Sequence, residues 1–321
     1  MKCTLRCIAC FCALAGAAPA FPQSYPVKTV HIIVPFAPAG PTDVMARILA
    51  QKYTEIMGQQ FVVENRAGAG GNIGMGAAAK AAPDGYTILI SSSSYVVNPS
   101  LYANVPYDPL KHFAPVTLAA AAPNALVVHP SLHVKSVQEL VALIRSSPGK
   151  FAFAQPGTGT TPHLSAEMFR LTYKLDMINV PFNGAGPAVA AVVGNQTPIA
   201  FVALPPTTAY VKNAALRALA VTAAKRSAAL PDVPTMAEAG ASGQEAETMQ
   251  GVFVPAATPQ PIIDRLCRET ARIVAMPDVK QRLAGLGFDA IANTPDEFAA
   301  YIKAEIGKWA KVIREAGIKV E

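Results

Sequence analysis

The residues best placed for chemistry lie in loops of glycine, proline and hydroxyl side chains that directly follow apolar, strand-like runs. Pro38-Ala39-Gly40-Pro41-Thr42-Asp43 follows residues 29–34, and Ser91-Ser92-Ser93-Ser94 follows residues 87–90. Gly157-Thr158-Gly159-Thr160-Thr161-Pro162-His163 follows residues 151–154, and Asn183-Gly184-Ala185-Gly186-Pro187 follows residues 177–182. In open α/β sheets ligands bind at the carboxyl ends of strands. None of these loops contains Lys or Arg, so an anion there has to be held by backbone N–H groups, hydroxyls and bound water. That chemistry suits the capture of a carboxylate and offers no obvious catalysis.

Motifs of other chemistries fail on spacing. The glycines at 68, 70, 71 and 74 fit no G-x-G-x-x-G register, and close loop packing is the better reason for them. His129 and His133 have the i, i+4 spacing of a zinc helix, but Pro130 lies between them and the glutamate is missing. Ser147-Pro148-Gly149-Lys150 spells an S-x-x-K that Pro-Gly keeps from being helical. The loop at 157–163 lacks the lysine of a phosphate loop. His163 has no serine elbow or cysteine to serve, which leaves a polar-ligand or structural role beside that of a base.

Elements of an α/β fold must position these loops. Residues 29–34 read as a buried strand, and Val44, Ile48, Leu49 and Ile56 recur at helical spacing. Between them Gly40 can cap, Pro41 suits a first helical position, and Asp43 falls in the first turn, where the helix dipole favours negative charge. Residues 180–187 repeat residues 34–41 at Val, Pro, Phe, Ala, Gly and Pro, an echo that is either chance or internal pseudo-symmetry. Capping boxes begin at Ser136, Thr235 and Thr294, and Thr161 is expected to cap a helix whose first residue is Pro162. The β-α-β rhythm indicates largely parallel sheets. Residues 115–124 are alanine-rich and read as a crossover before a strand at 125–129 that opens a second domain.

At 321 residues, 51% hydrophobic and 15% charged, the chain is long enough for two α/β domains with a sizeable core. Residues 1–20 have the charged start, apolar centre and Ala18-Pro19-Ala20 site of a cleaved secretory signal; the apolar centre is shorter than the ~20 residues of a membrane span. Without Lys2 and Arg6 the formal charge of +6 becomes 6 − 2 = +4, with no basic run to suggest nucleic acid. Cys3, Cys7, Cys10 and Cys12 leave with the leader, so Cys267 alone remains and no internal disulfide can form.

Several stretches together carry a resemblance. Val34-Pro35-Phe36 with Gly40 to Asp43 and Ala46-Arg47, Glu64-Asn65-Arg66 with Gly68 to Gly74, Pro83-Asp84-Gly85-Tyr86, Gly157-Thr158-Gly159 with His163-Leu164, Pro234-Thr235 with Glu238-Ala239-Gly240, and Thr294-Pro295 with Glu297-Phe298 occur in one order across nearly the whole mature chain. The chain resembles the Bug-type, TctC-like substrate-binding proteins of the tripartite tricarboxylate transporter system. The resemblance implies a two-domain periplasmic-binding-protein fold of the type II, venus-flytrap kind, with residues 25–122 and 247–321 as one domain and 123–246 as the other. It also implies a soluble periplasmic monomer, not an enzyme, that needs no cofactor or metal and delivers a small mono- or dicarboxylate, aromatic or aliphatic, to membrane permease subunits. A subunit presenting its ligand to a membrane sensor uses the same fold, and an exported enzyme is the remaining alternative.

Carried over by residue, the ligand-binding positions are Pro38, Ala39, Gly40, Asp43, Ser91, Ser93, Thr158, Gly159, Thr160, His163, Asn183, Gly184, Ala185 and Ala203. Three of these depart from the family's usual pattern. Ala39 replaces the first of two glycines, Asn183 a tyrosine, and Ala203 a frequent acidic residue, whose absence disfavours an amine-bearing ligand. If amides of helix starts hold the anion, Gly40 and Gly159 are both expected to be needed for close backbone approach, and Arg47 is not.

Overall fold

Apolar, β-branched runs alternating with segments of helical period build the α/β molecule that the computed structural model shows for residues 25–315 and 317–318. The leader expected over residues 1–20 lies outside the described residues. In chain order the elements are β1 (Val30–Val34), α1 (Pro41–Met57), β2 (Phe61–Asn65), α2 (Asn72–Ala79), β3 (Thr87–Ser91), α3 (Ser94–Leu101) and β4 (Phe113–Val128). There follow α4 (Val137–Arg145), β5 (Ala152–Gln155), α5 (Thr161–Tyr173), β6 (Ile178–Pro181), α6 (Ala185–Val193), β7 (Ile199–Ala203), α7 (Thr208–Lys212) and β8 (Arg217–Val221). The chain closes with β9 (Glu247–Pro255), α8 (Gln260–Ala275), α9 (Pro277–Leu286), β10 (Asp289–Ala290) and α10 (Pro295–Glu315).

Strand order is β2-β1-β3-β9-β4-β7-β5-β6, with β8 and β10 also paired to β4. β1 pairs in parallel with β2 and β3, and β5 in parallel with β6 and β7. Each antiparallel pair involves β4 or β9. β4 serves both ends of this order: residues 113–123 run beside β9, and from Asn124 onward it pairs with β7.

The structure therefore corrects the reading of residues 115–124 as a connection. They lie inside one long strand, whose alanines Ala119, Ala120 and Ala122 are fully buried. Alanine has little β preference of its own; here pairing with β9 and β10 and burial on both faces decide the conformation.

Each end of the sheet is sandwiched by helices. Around β1, β3 and β9, α1 and α8 pack one face, with Tyr53 of α1 hydrogen-bonded to Thr270 of α8. On the other face Tyr95 stacks on Phe253 at 4.2 Å between ring centres, and Phe298 and Trp309 of α10 complete the layer. Around β5 and β7, Phe153, Phe169 and Phe201 pack beneath α4 and α5, while Val189 and Val192 of α6 cover the opposite face. Full burial of such side chains contributes roughly 1.5–3 kcal/mol each, enough to fix which face each helix presents.

Capping chemistry sets the helix boundaries. The Thr294 hydroxyl accepts from the Glu297 amide at 3.3 Å while the Glu297 carboxylate accepts from the Thr294 amide at 2.8 Å, and α10 begins there. The same reciprocal pair forms between Thr235 and Glu238, yet turns follow it and no helix does. The cap of α5 is Thr160 rather than Thr161, with Pro162 at the second helical position.

Candidate functional site

Loops at the carboxyl ends of β1, β3, β5 and β6 lead into α1, α3, α5 and α6. After β1 the chain turns through Ala39, held in the left-handed region at φ 66°. A non-glycine residue stays there only under restraint, and Asp43 supplies it. Its carboxylate accepts from the Ala39 amide at 3.0 Å, from Arg47 Nε at 2.9 Å and from Asn65 Nδ2 at 2.9 Å. Burial pushes the Asp43 carboxyl up, but the bonds from Arg47, the Ala39 amide and Asn65 together hold it below the usual carboxylate value. With its oxygens so occupied, Asp43 shapes the loop and does not border the cavity.

At the end of β3 the serines divide their work. The Ser93 hydroxyl accepts from the Met249 amide at 3.0 Å and donates to the Glu247 carbonyl at 3.3 Å, which ties this turn to β9. Ser91 donates to the Met75 sulfur at 3.5 Å. Ser92 is the serine that borders the cavity, its hydroxyl 3.2 Å from that of Ser94, which begins α3. Neither Ser91 nor Ser93 borders either cavity.

After β5, the buried Gln155 accepts from the Gly157 amide at 2.6 Å through Oε1, and Thr160 donates to the Gly157 carbonyl at 2.7 Å. His163 is 3% exposed, and its Nδ1 accepts from the Gly159 amide at 3.4 Å. Burial lowers the His163 pKa, with Glu167 opposing, so the imidazole is held neutral and acts as an acceptor for its own loop. Like Asp43, it stands behind the site. After β6, Gly184 takes φ 144° as the cap of α6, a conformation that glycine alone adopts readily.

These loops enclose a small inner cavity of about 30 Å³. Phe36, Gly40, Pro41 and Thr42 come from the start of α1, Ser92 from that of α3, Pro156, Thr160 and Pro162 from that of α5, and Ala185 from that of α6. Ala203 ends β7 and Thr248 begins β9. Thr248 belongs to a buried polar network: its hydroxyl lies 2.5 Å from that of Thr161 and donates to Asn124 Oδ1 at 2.8 Å, at the point where β4 passes from one group of strands to the other. A larger outer cavity of about 180 Å³ adjoins the first, bordered by residues 68–71, Tyr102, Gly157, Thr158, Pro181, Phe182 and Asn183. Phe36 and Pro156 border both, and among the described residues no Lys, Arg, Asp or Glu borders either.

Opposing loops touch along the rim. The Ala37 amide donates to the Asn183 carbonyl at 3.1 Å, and the Tyr102 hydroxyl to the Thr158 carbonyl at 2.9 Å. A β-carbon placed on Gly186 would lie 2.8 Å from the Pro38 carbonyl oxygen, and one on Gly159 would lie 2.2 Å from Asn98 Oδ1. Gly159 also has φ 88°, so close approach and backbone conformation both require glycine. Gly40 does not share this requirement: its φ is −80°, and an added β-carbon would meet Ala185 Cβ at an ordinary 3.7 Å. The expectation that Gly40 and Gly159 act alike is corrected accordingly.

Of the positions expected from the sequence, Gly40, Thr160, Ala185 and Ala203 border the inner cavity, and Thr158 and Asn183 the outer one. Pro38, Ala39, Gly159 and Gly184 meet the opposing loops at the rim. Phe36, Thr42, Ser92, Pro156, Pro162, Tyr102 and Thr248 also border the cavities without having been singled out. Phe36, Thr42, Ser92 and Pro162 sit inside the stretches that the sequence does mark, whereas Thr248 and Tyr102 follow no loop signature.

This geometry agrees with known proteins. The family model described as tripartite tricarboxylate transporter family receptor matches residues 45–318. Protein BugT of Bordetella pertussis (strain Tohama I) is 39% identical over 320 residues, covering 99% of this chain and 98% of BugT. Among solved structures, R. palustris Rpa4515 with adipate is 33% identical with a TM-score of 0.89, covering 92% of this chain and 99% of that one. MatC from Rhodopseudomonas palustris with bound malate is 31% identical with a TM-score of 0.86, covering 90% and 100%. Sequence match over most of the chain and superposition over nine-tenths of it lead to one conclusion: the chain belongs to the Bug-type receptors of the tripartite tricarboxylate transporter family, periplasmic binding proteins of α/β fold that bind solutes and are not enzymes.

Proposed function

We propose that the protein is an extracytoplasmic receptor that holds a small mono- or dicarboxylate between two hinged halves and delivers it to the permease of a tripartite tricarboxylate-type transporter. The observation that carries this reading is the convergence of the starts of α1, α3, α5 and α6 on one cavity without charged side chains. Amides in the first turn of a helix lack intrahelical acceptors, and the helix dipole adds partial positive charge there, so the cavity favours an anion and gives an ammonium group no carboxylate to meet. Adipate in Rpa4515 and malate in MatC are carboxylates, in keeping with this chemistry.

Residues 25–122 with 247–321 form one half in this reading, and residues 123–246 the other. β4 and β9 pass between the halves and serve as the hinge. Export to the periplasm follows from the leader read in residues 1–20, and the bound state is monomeric. The test is to identify by mass spectrometry the small molecule that copurifies with the exported protein, and then to titrate the stripped protein with that molecule and its uncharged amide. A carboxylate that binds while its amide does not is the expected result. A cationic or uncharged natural ligand would end the proposal.

A further inference from the structure

One buried amide stands where β4, β9 and α5 meet. Asn124 is the residue at which β4 leaves β9 for β7. Its register partner Ala203 on β7 and its hydrogen-bond partner Thr248 on β9 both border the inner cavity, although Asn124 does not. Every polar atom of Asn124 is engaged. Its backbone amide donates to the Thr222 hydroxyl at 2.9 Å, and its backbone carbonyl accepts from the Thr222 amide at 2.9 Å. Its Nδ2 donates to Ser165 Oγ at 3.1 Å and to the Ala246 carbonyl at 3.5 Å, and its Oδ1 accepts from the Thr248 hydroxyl at 2.8 Å.

The chemistry of these partners fixes the direction of each proton. A carbonyl cannot donate, so the side-chain end facing Ala246 is the NH₂ group and the end facing Thr248 is the oxygen. Thr248 therefore gives its one proton to Asn124, and the 2.5 Å bond between Thr248 and Thr161 takes its proton from Thr161. Thr161 and Ser165 lie four residues apart in α5 and share a helix face. Asn124 grips that face twice, at Ser165 directly and at Thr161 through Thr248. Asn124, Thr161, Ser165, Thr222 and Thr248 are each at most 4% exposed, so a bond lost here is not replaced by bulk water. We propose that Asn124 is a positioning residue for the start of α5: it sets where Thr160 and Pro162 stand at the inner cavity without itself bordering that cavity. The bearing on binding rests on the carboxylate-receptor reading above, in which Asn124 and Thr161 belong to one half and Thr248 to the other.

The experiment is hydrogen–deuterium exchange of the full mature chain, free of ligand, read peptide by peptide by mass spectrometry. The proteins compared are wild type, Asn124→Ala, Thr161→Ser and the double variant Thr161→Val/Ser165→Ala, which releases the same grip from the helix side and so tests it even where Asn124→Ala does not fold. Loss of a buried hydrogen bond is worth about tenfold in a local opening equilibrium. We expect Asn124→Ala and the double variant each to speed exchange over residues 158–166 by about tenfold or more while α8 keeps the wild-type rate. Thr161→Ser, which retains the donated proton, should stay within about threefold of wild type. Exchange raised equally in α8 would reduce the network to general stability and overturn the proposal, as would wild-type protection of residues 158–166 in Asn124→Ala. Titration with adipate and its uncharged diamide separates this from the receptor reading. Adipate should bind Asn124→Ala about tenfold more weakly than wild type, and equal affinity would overturn the positioning role. Wild type binding the diamide as tightly as adipate would instead overturn the carboxylate reading, with the exchange result still deciding how α5 is placed.

Discussion

The Ala37 amide donates to the Asn183 carbonyl at 3.1 Å, and these two residues hold the same place in the repeated stretches 34–41 and 180–187. Both stretches run from a parallel strand through a loop to a helix start, β1 to α1 and β6 to α6. The loops meet at corresponding positions, so the repeat in the sequence has a counterpart in the way the two loops face each other.

Because that bond and the one from Tyr102 to Thr158 join loops on opposite sides of the cavity, the proposed separation of the halves would break both. The inner cavity, at about 30 Å³, admits little more than a water or two. A carboxylate therefore enters only when the rim is parted. Small-angle scattering is expected to show a larger radius of gyration for stripped protein than for protein saturated with ligand. Equal radii with proven binding would place the site within one half.

Glycine substitutions separate rim contact from cavity lining. Gly159→Ala puts a β-carbon against Asn98 Oδ1 at a positive φ, and affinity is expected to fall tenfold or more, about 1.4 kcal/mol, through impaired closure. Gly40→Ala has neither conflict, and its effect should stay below that of Gly159→Ala. Titration of both variants with one carboxylate decides the matter; a larger loss at Gly40 would show that the amide approach at α1 dominates.

Asp43 and Arg47 test the loop from behind. Asp43→Ala releases Ala39, Arg47 and Asn65 at once from a buried position. A loss of about 2–3 kcal/mol is expected, seen as several degrees in melting temperature. Arg47 is half-exposed, so Arg47→Ala should change stability by less than about 1 kcal/mol and leave carboxylate affinity within a few-fold. If Arg47→Ala abolished binding, a side-chain cation rather than helix-start amides would be holding the anion.

His163 links stability to pH. Burial lowers its folded pKa, so just below the unfolded value of about 6.5 the unfolded chain takes up a proton that the folded chain refuses. The stabilisation is complete above about 6.5 and is lost as pH falls toward the folded pKa. Urea midpoints should therefore decrease from about pH 7.5 to about pH 5.5, and His163→Gln should flatten that slope. A slope unchanged in the variant would assign the dependence to other groups.

The strand, loop and helix pattern around residues 29–56 was legible because β-branched run, glycine, proline and apolar spacing all agree there. At 115–124 the sequence offers alanine, whose conformation depends on partners far away in the chain, and so the first part of β4 reads as a connection while its end reads as a strand. Ser92 was hidden among its neighbours for a related reason. Which of four serines faces the cavity depends on where β3 ends and α3 begins, a matter of one residue. Thr248 could not be found at all from local pattern, since it reaches the site only through β9 lying between β3 and β4.

In the proposed two-half arrangement β4 and β9 would also be a torsion element. The stretch of β4 that runs beside β9, residues 113–123, includes Ala119, Ala120, Ala121 and Ala122, which carry a single methyl each. Bending such a segment disturbs few interlocking side chains, so its resistance comes mainly from backbone dihedrals and the hydrogen bonds of the ladder. A stiff joint packed with large residues would have to be overcome by the solute's own binding energy. For any joint, moving the populations from 1:99 to 99:1 takes a preference for the closed form of about 10⁴-fold, and a compliant joint keeps the starting populations from being more one-sided than that. The run of alanines, uninformative as a signature, would thus keep the proposed hinge easy to bend.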